Sequence, residues 1–207
     1  MMKHKFLYML LALFLISLSV RLYFAFQTPN FSSDNSYMVI KQVENILDAG
    51  KPIIHDPLSF SGRDNPYSSF YYYLLSFFGL FMPLLYVFKI IPNILASLLV
   101  IVVYFIAYQL TEDETSSLFT SFICAFIPIY FSETINSISS LCLVIPLFFF
   151  AILCFMKINK KKYLLLFLIS IFILTFTSSL SLVLILSFLI YLLLTKIEDF
   201  GKDSAQT

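Results

Sequence analysis

Long apolar runs alternate with short polar connections along most of this chain. Six runs are long enough to be predicted as membrane-spanning helices, since about 20 apolar residues cross the hydrocarbon core of a bilayer. They cover residues 6–26, 90–110, 116–131, 139–156, 163–176 and 180–195. The pattern therefore predicts an all-α, polytopic membrane helical bundle of about six transmembrane helices, of which the first is an uncleaved signal-anchor helix.

Residues 67–88 form a further apolar, aromatic segment, which Pro83 interrupts. This segment either crosses the membrane or lies along its outer surface. Loops rich in Lys and Arg stay in the cytoplasm, so the basic N-terminus is predicted to be cytoplasmic. The strongest basic cluster comprises Lys157, Lys160, Lys161 and Lys162. That cluster is also cytoplasmic only if residues 67–88 do not cross, which favours six spans and a membrane-hugging segment.

The resulting organisation is a single transmembrane domain over residues 1–207. It divides into the first span at 6–26, an extracytoplasmic loop with the membrane-associated segment at 27–89, five further spans at 90–195 and a cytoplasmic tail at 196–207. The composition also indicates a membrane protein. Of the residues, 60% are hydrophobic and 12% are charged, whereas about 25% are charged in soluble domains. The net charge of +1 gives no indication of nucleic-acid binding. We expect an integral protein of the plasma membrane.

The first loop, at about residues 27–67, is the one long polar stretch between apolar runs. It carries five of the twelve carboxylates of the chain. Within it, residues 35–49 have apolar positions at helical spacing, with Ser33 or Asp34 as the N-cap and Gly50 at the C-terminal cap. We expect this amphipathic helix to lie flat on the membrane, with its apolar face among the lipid headgroups.

Three polar stretches share the outer face in this topology. They are the first loop, residues 132–140 and the turn at 175–181. Together they would rim a cavity that opens outward. The alternative for the turn is a tight hairpin, whose Ser and Thr hydroxyls bond the local backbone.

Several residues of the first loop follow a known pattern. Asp34 comes shortly after the first span, Ser36-Tyr37 follow it, and the amphipathic helix ends in Gly50. A turn at residues 56–58 and Pro66-Tyr67, which lead into an aromatic helix, complete the pattern. Over about residues 6–160 the chain resembles the N-terminal half of the C-type (GT-C) glycosyltransferase superfamily, nearest to archaeal relatives of oligosaccharyltransferases and protein O-mannosyltransferases.

The resemblance implies transfer of a sugar from a polyprenyl-phosphate carrier to an acceptor at the extracytoplasmic membrane face. By position, Asp34 matches the catalytic acid of the first loop and Glu133 matches a second acidic site. The chain departs from the family in two ways. Asn35 follows Asp34, so there is no paired-acid motif, and the chain has far fewer spans. We therefore expect a short or truncated member, a member that needs a partner chain, or one that has lost activity.

The residues suit this chemistry on their own terms. A sugar linked to phosphate already carries a good leaving group, so the enzyme needs a base for the acceptor, here Asp34. It also needs groups that bind the phosphate. The phosphate-binding candidates are Arg63, His55, Lys51 and Asp56. Alternatively, Asp34 and Glu133 share a divalent cation, Mg²⁺ or Mn²⁺, because hard cations prefer oxygen ligands.

Each candidate also has a purely structural interpretation. Asp34 caps a helix, Asp56 forms a turn before Pro57, and Arg63 pairs with a neighbouring carboxylate or reaches lipid phosphates. Arg21, near the end of the first span, is expected to extend outward to the headgroups. The enzymatic hypothesis therefore requires Asp34 to lie beside a groove at the membrane surface.

Three functions remain open from the sequence. The first is a glycosyltransferase whose partners are membrane lipid and a polyprenyl-phosphate-linked sugar. The second is a non-catalytic membrane subunit or remnant of such an enzyme, with a partner subunit. The third is a transporter component, although transporters commonly place charges or broken helices at the bilayer midplane and the span centres here are almost purely apolar.

Overall fold

The computed structural model describes residues 4–56, 62–64 and 70–204, with the backbone alone at His4, Asp56, Arg63 and 197–204. Its regular structure is α-helical apart from one two-residue antiparallel pairing. The elements are α1 (His4–Phe26), α2 (Asp34–Ala49), β1 (His55–Asp56), β2 (Arg63–Asp64), α3 (Phe70–Gly79), α4 (Leu84–Thr111), α5 (Glu114–Ala125), α6 (Pro128–Thr134), α7 (Leu141–Met156), α8 (Lys161–Thr175) and α9 (Leu180–Ser204).

Two helices, α1 and α4, are long and apolar enough to cross a membrane. A third candidate is the pair α5 and α6, which is bent by 49°. The helices α7 and α8 have 16 and 15 residues, which is about 22–24 Å at 1.5 Å per residue. The all-α expectation and the presence of membrane-type helices are confirmed at this level, with two or three candidate spans.

Proline explains where the helices depart from the predicted spans. Pro83 is the N-cap of α4, so α4 starts at Leu84, six residues before the predicted 90. Pro128 begins α6 and divides the apolar run predicted as one span at 116–131. Proline lacks the N–H that would continue a preceding helix. At the other end of the chain, α9 continues through most of the tail predicted at 196–207.

The aromatic segment predicted to hug the membrane contains α3. With 10 residues, α3 is about 15 Å long, half the thickness of the hydrocarbon core. Its residues Tyr71 and Leu75 are fully buried in a core cluster with α2 and α4. This helix is therefore too short to cross on its own, and one of its faces packs on protein.

The helix α2 has the predicted limits. Ser33 is the N-cap, and Gly50 adopts the left-handed conformation, with φ of 71°, as its N–H donates to the Ile46 carbonyl. The expected location of its apolar face is wrong, however. Val39 and Val43 are 2% and 0% exposed, because they pack against α3 and α4. A protein core covers this face in place of the lipid headgroups.

Hydrogen bonds gather the polar stretches at one end of the bundle, here called the outer end. The loop after α1 meets the segment after α6, where the Ser32 N–H donates to the Asn136 carbonyl at 2.9 Å. The start of α3 meets the α8–α9 turn, where the Phe70 N–H donates to the Phe176 carbonyl at 2.9 Å. Two of the three polar stretches predicted to share one face, the first loop and residues 132–140, are therefore in direct contact, and the third, the turn at 175–181, contacts the start of α3.

The opposite end of the bundle, here called the inner end, holds the loop between α4 and α5. There the Asp113 carboxylate caps α5, accepting from the Ser116 hydroxyl at 2.6 Å and from the Ser116 and Thr115 amides at 2.8 and 3.3 Å. These bonds, chiefly those from Ser116, hold the pKa of Asp113 below its usual value, since they favour the charged form.

We expect Asp113→Ala to lower the stability of the protein at neutral pH, because the first amides of α5 lose their acceptor. The folded-state pKa of Asp113 is lowered, so its contribution is present above the unfolded-state pKa and is lost as the pH falls through the folded-state value. Thermal unfolding from neutral to acid pH measures this. The difference in unfolding midpoint between the wild type and Asp113→Ala should shrink at low pH. Asp113→Asn keeps a capping oxygen but not the charge, so at neutral pH its midpoint should lie between those of the wild type and Asp113→Ala. A difference that does not change with pH would contradict this assignment.

Candidate functional site

Lys89, in the second turn of α4, is a buried cation at the outer end, with 1% of its surface exposed. Its Nζ donates to the Thr28 carbonyl at 3.0 Å, to Asn136 Oδ1 at 2.9 Å and to the Asn30 carbonyl at 3.4 Å. The same Nζ lies 4.3 Å from the centre of the Phe31 ring. Neutral oxygens and an aromatic face surround the charge, and no carboxylate of the described residues lies within salt-bridge distance.

Arg21, near the end of α1, is a second buried cation, also 1% exposed. Its Nη1 donates to the Thr134 hydroxyl at 2.7 Å, and its guanidinium carbon lies 5.1 and 5.0 Å from the ring centres of Tyr130 and Phe131. Its Nε has no hydrogen-bond partner in the part of the chain that the structure describes. The prediction that Arg21 extends outward to the headgroups is wrong, because α6 offers a hydroxyl and two rings within reach.

Both cations contact residues 134–138, the segment that ends α6 and leads towards α7. Asn93 of α4 also reaches this segment, since its Nδ2 lies 3.4 Å from the Ile135 carbonyl. Ser36 of α2 accepts from the Ile138 N–H at 2.9 Å. The Asn93 Oδ1 is buried, and none of the described residues bonds to it. Side chains from α1, α2 and α4 therefore fix this segment by polar contacts.

A groove of about 300 Å³ opens above this network; it is called the outer groove below. Thr28 and Asn136, which bind the Lys89 ammonium, belong to its wall, and so does Phe131, whose ring lies against Arg21. Its lining residues are Phe24, Gln27, Thr28, Ser32, Phe131, Ser132, Ile135 and Asn136. Each cation therefore contacts the residues of the groove wall from the protein side, Lys89 through Thr28 and Asn136, and Arg21 through Phe131.

Asp34 is the first residue of α2 and is exposed. It does not line the outer groove, but Ser32 does, and Cα atoms two residues apart are at most about 7 Å from each other. The cap is Ser33, whose hydroxyl bonds those of Ser36 and Ser137 at 2.8 and 3.1 Å. Asp34 therefore lies at the rim of the outer groove. The positive end of the α2 dipole stabilises its negative charge there.

Two predicted phosphate-binding residues lie away from Asp34. Lys51 follows the far end of α2, whose 16 residues span about 24 Å. The loop before His55 is held against the middle of α2, where Gln42 Oε1 accepts from the Ile53 N–H at 2.8 Å. The structure therefore does not bring Lys51 to the outer groove. It holds the loop before His55 against α2, about two helical turns from Asp34.

His55 has a partner of its own. Its Nδ1 lies 2.7 Å from Asp64 Oδ1, and both side chains are exposed. The backbone of β1 pairs with that of β2, with Asp56 opposite Arg63. The side chains of Asp56 and Arg63 lie outside the described residues, so their predicted roles at a phosphate stay predictions.

Glu133, the predicted second acidic residue, is exposed on α6, next to Thr134, the partner of Arg21. Its sharing of a divalent cation with Asp34 stays a prediction. Within the described ranges no three His, Cys, Asp or Glu side chains converge on a point that could hold a metal.

Lys89 and Asn93 were missed by the sequence analysis, and Arg21 was misplaced. The signal for all three was present, since each is a polar residue within a predominantly apolar run. Ionisable groups in such runs are costly, and they usually face the interior of the bundle and carry a function.

No protein-family profile matches the chain, and its comparison with curated proteins gave no significant match. The chemistry of the outer groove therefore follows from its own residues and contacts.

Proposed function

We propose that the chain crosses the membrane six times, with its N-terminus in the cytoplasm and its outer end outside. Successive apolar helices connect alternately at the outer and inner ends, as a bundle of antiparallel spans requires. Exposed lysines favour this orientation by the positive-inside rule, since the inner end carries Lys5, Lys160, Lys161, Lys162 and Lys196. Local thinning of the bilayer would accommodate the short helices α7 and α8.

We further propose that the protein transfers a sugar from a polyprenyl-phosphate carrier to an acceptor at the extracytoplasmic face. One observation carries the proposal. Two buried cations, Arg21 and Lys89, lie behind the wall of the outer groove without a described carboxylate partner, and the exposed Asp34 stands at its rim. Positive charge below a groove favours a phosphate within it, and a carboxylate at the rim suits a base.

The proposed reaction is a displacement at the anomeric carbon. The acceptor nucleophile forms a bond to that carbon while the bond from carbon to phosphate oxygen breaks, and polyprenyl phosphate leaves with the electron pair. Asp34 takes the proton of the acceptor. The field of Lys89 and Arg21 stabilises the charge that develops on the departing phosphate. This step uses Asp34, Lys89 and Arg21 alone, and the sharing of Mg²⁺ or Mn²⁺ by Asp34 and Glu133 stays a separate prediction.

Binding of the donor to the outer groove can be tested with Ser132→Phe. Ser132 is exposed on the groove wall, so a phenyl ring there would fill the space. We expect the affinity for a labelled polyprenyl-phosphate sugar, measured with the purified chain in detergent, to fall at least about tenfold, which is the effect of losing about 1.4 kcal/mol of binding.

Ser187→Phe is the matched control, because Ser187 is exposed on the apolar surface of α9 and its replacement should leave donor affinity within about twofold of the wild type. An equal loss of donor affinity in both variants, or no loss in Ser132→Phe, would mean that the donor does not bind in the outer groove.

The second candidate is a non-catalytic membrane subunit that acts with a partner. The observation that favours it is the exposure of Asp34, which has no hydrogen-bond or ion-pair partner among the residues described. Turnover by the purified chain alone separates the two functions, since the subunit would bind donor without releasing product.

The transporter alternative has less support. Arg21 is five residues from the end of α1 at Phe26, and Lys89 is five residues from the start of α4 at Leu84. Both cations therefore lie about 8 Å from the outer ends of these helices, whereas transporter sites lie near the midplane.

A further inference from the structure

Four of the thirteen basic residues of the chain lie within six positions at the inner end. They occupy residues 157–162, between α7 and α8, here called the basic loop. Lys160, Lys161 and Lys162 are exposed, and Lys157 is half-buried, with its Nζ 5.7 Å from the centre of the Tyr163 ring. The loop thus presents a concentrated positive charge to its surroundings.

Nothing in the described part of the chain neutralises this charge. None of the four ammonium groups is within 4 Å of a described carboxylate. Lys160 is the N-cap of α8 without a side-chain hydrogen bond, and Lys161 and Lys162 are its first residues. Positive charge at a helix N-terminus opposes the helix dipole, and the ammonium groups also repel one another. Among the described side chains, therefore, no anion compensates this concentration of positive charge.

The basic loop lies at the edge of the apolar surface. Leu164 and Leu165, within one turn of the lysines, are 42% and 60% exposed, and Leu168 one turn later is 55% exposed. In the proposed six-span topology, lipid tails cover these leucines of α8. The lysine ammonium groups then stand at the level of the lipid headgroups.

Charges elsewhere strengthen the asymmetry between the two ends. Lys5 and Lys196 are exposed at the inner end. The acidic run at residues 112–114 is also there, but Asp113 is committed to capping α5. Among the described side chains, the exposed charged ones at the outer end are predominantly carboxylates, namely Asp34, Glu44, Asp48, Asp64 and Glu133, beside Lys51.

We propose that the basic loop is a binding site for anionic phospholipid headgroups of the leaflet at the inner end. Phosphate oxygens of the lipids accept from the exposed ammonium groups, while their acyl chains cover the leucines of α8. Basic segments next to a transmembrane helix bind anionic lipid in this way. This inference rests on the proposed membrane topology, but it is independent of the proposed sugar transfer because the site is separate from the outer groove.

The experiment uses the purified full chain in detergent with equal amounts of phosphatidylglycerol and phosphatidylcholine, and native mass spectrometry counts the bound lipids. We expect the wild type to retain phosphatidylglycerol preferentially. The double variant Lys161→Gln with Lys162→Gln should lose on the order of 25-fold in that preference, at about fivefold per lysine. Added salt should weaken the preference of the wild type.

A matched double variant, Lys41→Gln with Lys51→Gln, removes the same charge from the outer end and should keep the preference within about twofold. Thermal unfolding of each variant confirms that it is folded. The proposal is overturned by a wild type without preference, by an equal loss in both double variants, or by binding of soluble polyglutamate without lipid preference. The last result would identify an acidic protein segment as the partner.

Discussion

Replacing Asp34 with Asn is expected to lower the rate of sugar transfer at least about a hundredfold, since a positioned general base typically contributes 10²–10⁴-fold. The substitution keeps the shape of the side chain and removes its ability to take a proton. The assay is transfer from a labelled polyprenyl-phosphate sugar by the purified protein. Donor affinity should change little, because the proposed phosphate position depends on the cations behind the outer groove.

The fold should tolerate Asp34→Asn. Ser33 is the N-cap of α2, and its serine contacts to the segment after α6 remain. The change removes one favourable charge from the helix N-terminus, which is typically less than about 1 kcal/mol. A loss of turnover would thus report on chemistry and not on unfolding.

Asp48→Asn is the matched control for this experiment. Asp48 is exposed on the same helix, and the 14 residues from Asp34 correspond to about 21 Å along the axis. Its replacement should leave the rate unchanged. If Asp34→Asn turns over as fast as the wild type, Asp34 is not the base; if the wild type is itself inactive when purified alone, the subunit function is favoured.

Lys89→Met is expected to destabilise the protein by about 3 kcal/mol, because hydrogen bonds to a charged donor are worth about 1.5–3 kcal/mol each. The variant leaves the Thr28 carbonyl and Asn136 Oδ1 without the donor that both now share. It also removes the cation from the Phe31 ring. The first loop would then lose its connection to α4.

Arg21→Met is the informative companion, since it removes the other buried cation. Thr134 keeps its own hydroxyl bond to the Tyr130 carbonyl at 2.5 Å, so the variant leaves no donor unsatisfied. Burying a charge without a counter-charge is costly, and an apolar side chain of similar length removes that cost. We therefore expect Arg21→Met to be at least as stable as the wild type.

Thermal unfolding followed by a thiol-reactive dye measures both variants, because Cys124, Cys142 and Cys154 are free and buried and become reactive only when the helices separate. The midpoint should fall for Lys89→Met and not for Arg21→Met. Equal losses in the two variants would mean that burial of positive charge, and not the hydrogen bonds of Lys89, stabilises the outer end.

Local chemistry made several elements predictable. The limits of α2 follow from Ser33, from the spacing of Val39 and Val43, and from Gly50, whose positive φ a glycine adopts without strain. The apolar runs likewise predict helices, because a chain in lipid must satisfy its backbone hydrogen bonds internally. The break at Pro128 carried a signal in the sequence, but only the structure placed a bend of 49° there.

The candidate site was only partly predictable. The role of Asp34 as the base stays a prediction; the structure shows it exposed at the start of α2, two residues from Ser32 of the groove wall. Lys51 lies at the far end of α2, so the whole length of the helix separates it from Asp34. Arg63 and Asp56 were predicted at the phosphate, where the structure describes their backbone pairing alone.

By itself the sequence determined that this is a helical membrane-type chain with one polar loop, since hydrophobic periodicity and capping act between near neighbours. The tertiary structure alone decided which groups the buried cations meet. The bond from Arg21 to Thr134 joins residues 113 positions apart, and the bond from Lys89 to Asn136 joins residues 47 apart. Such contacts depend on how the helices pack, because a charge in an apolar bundle binds whichever polar group the packing brings within reach.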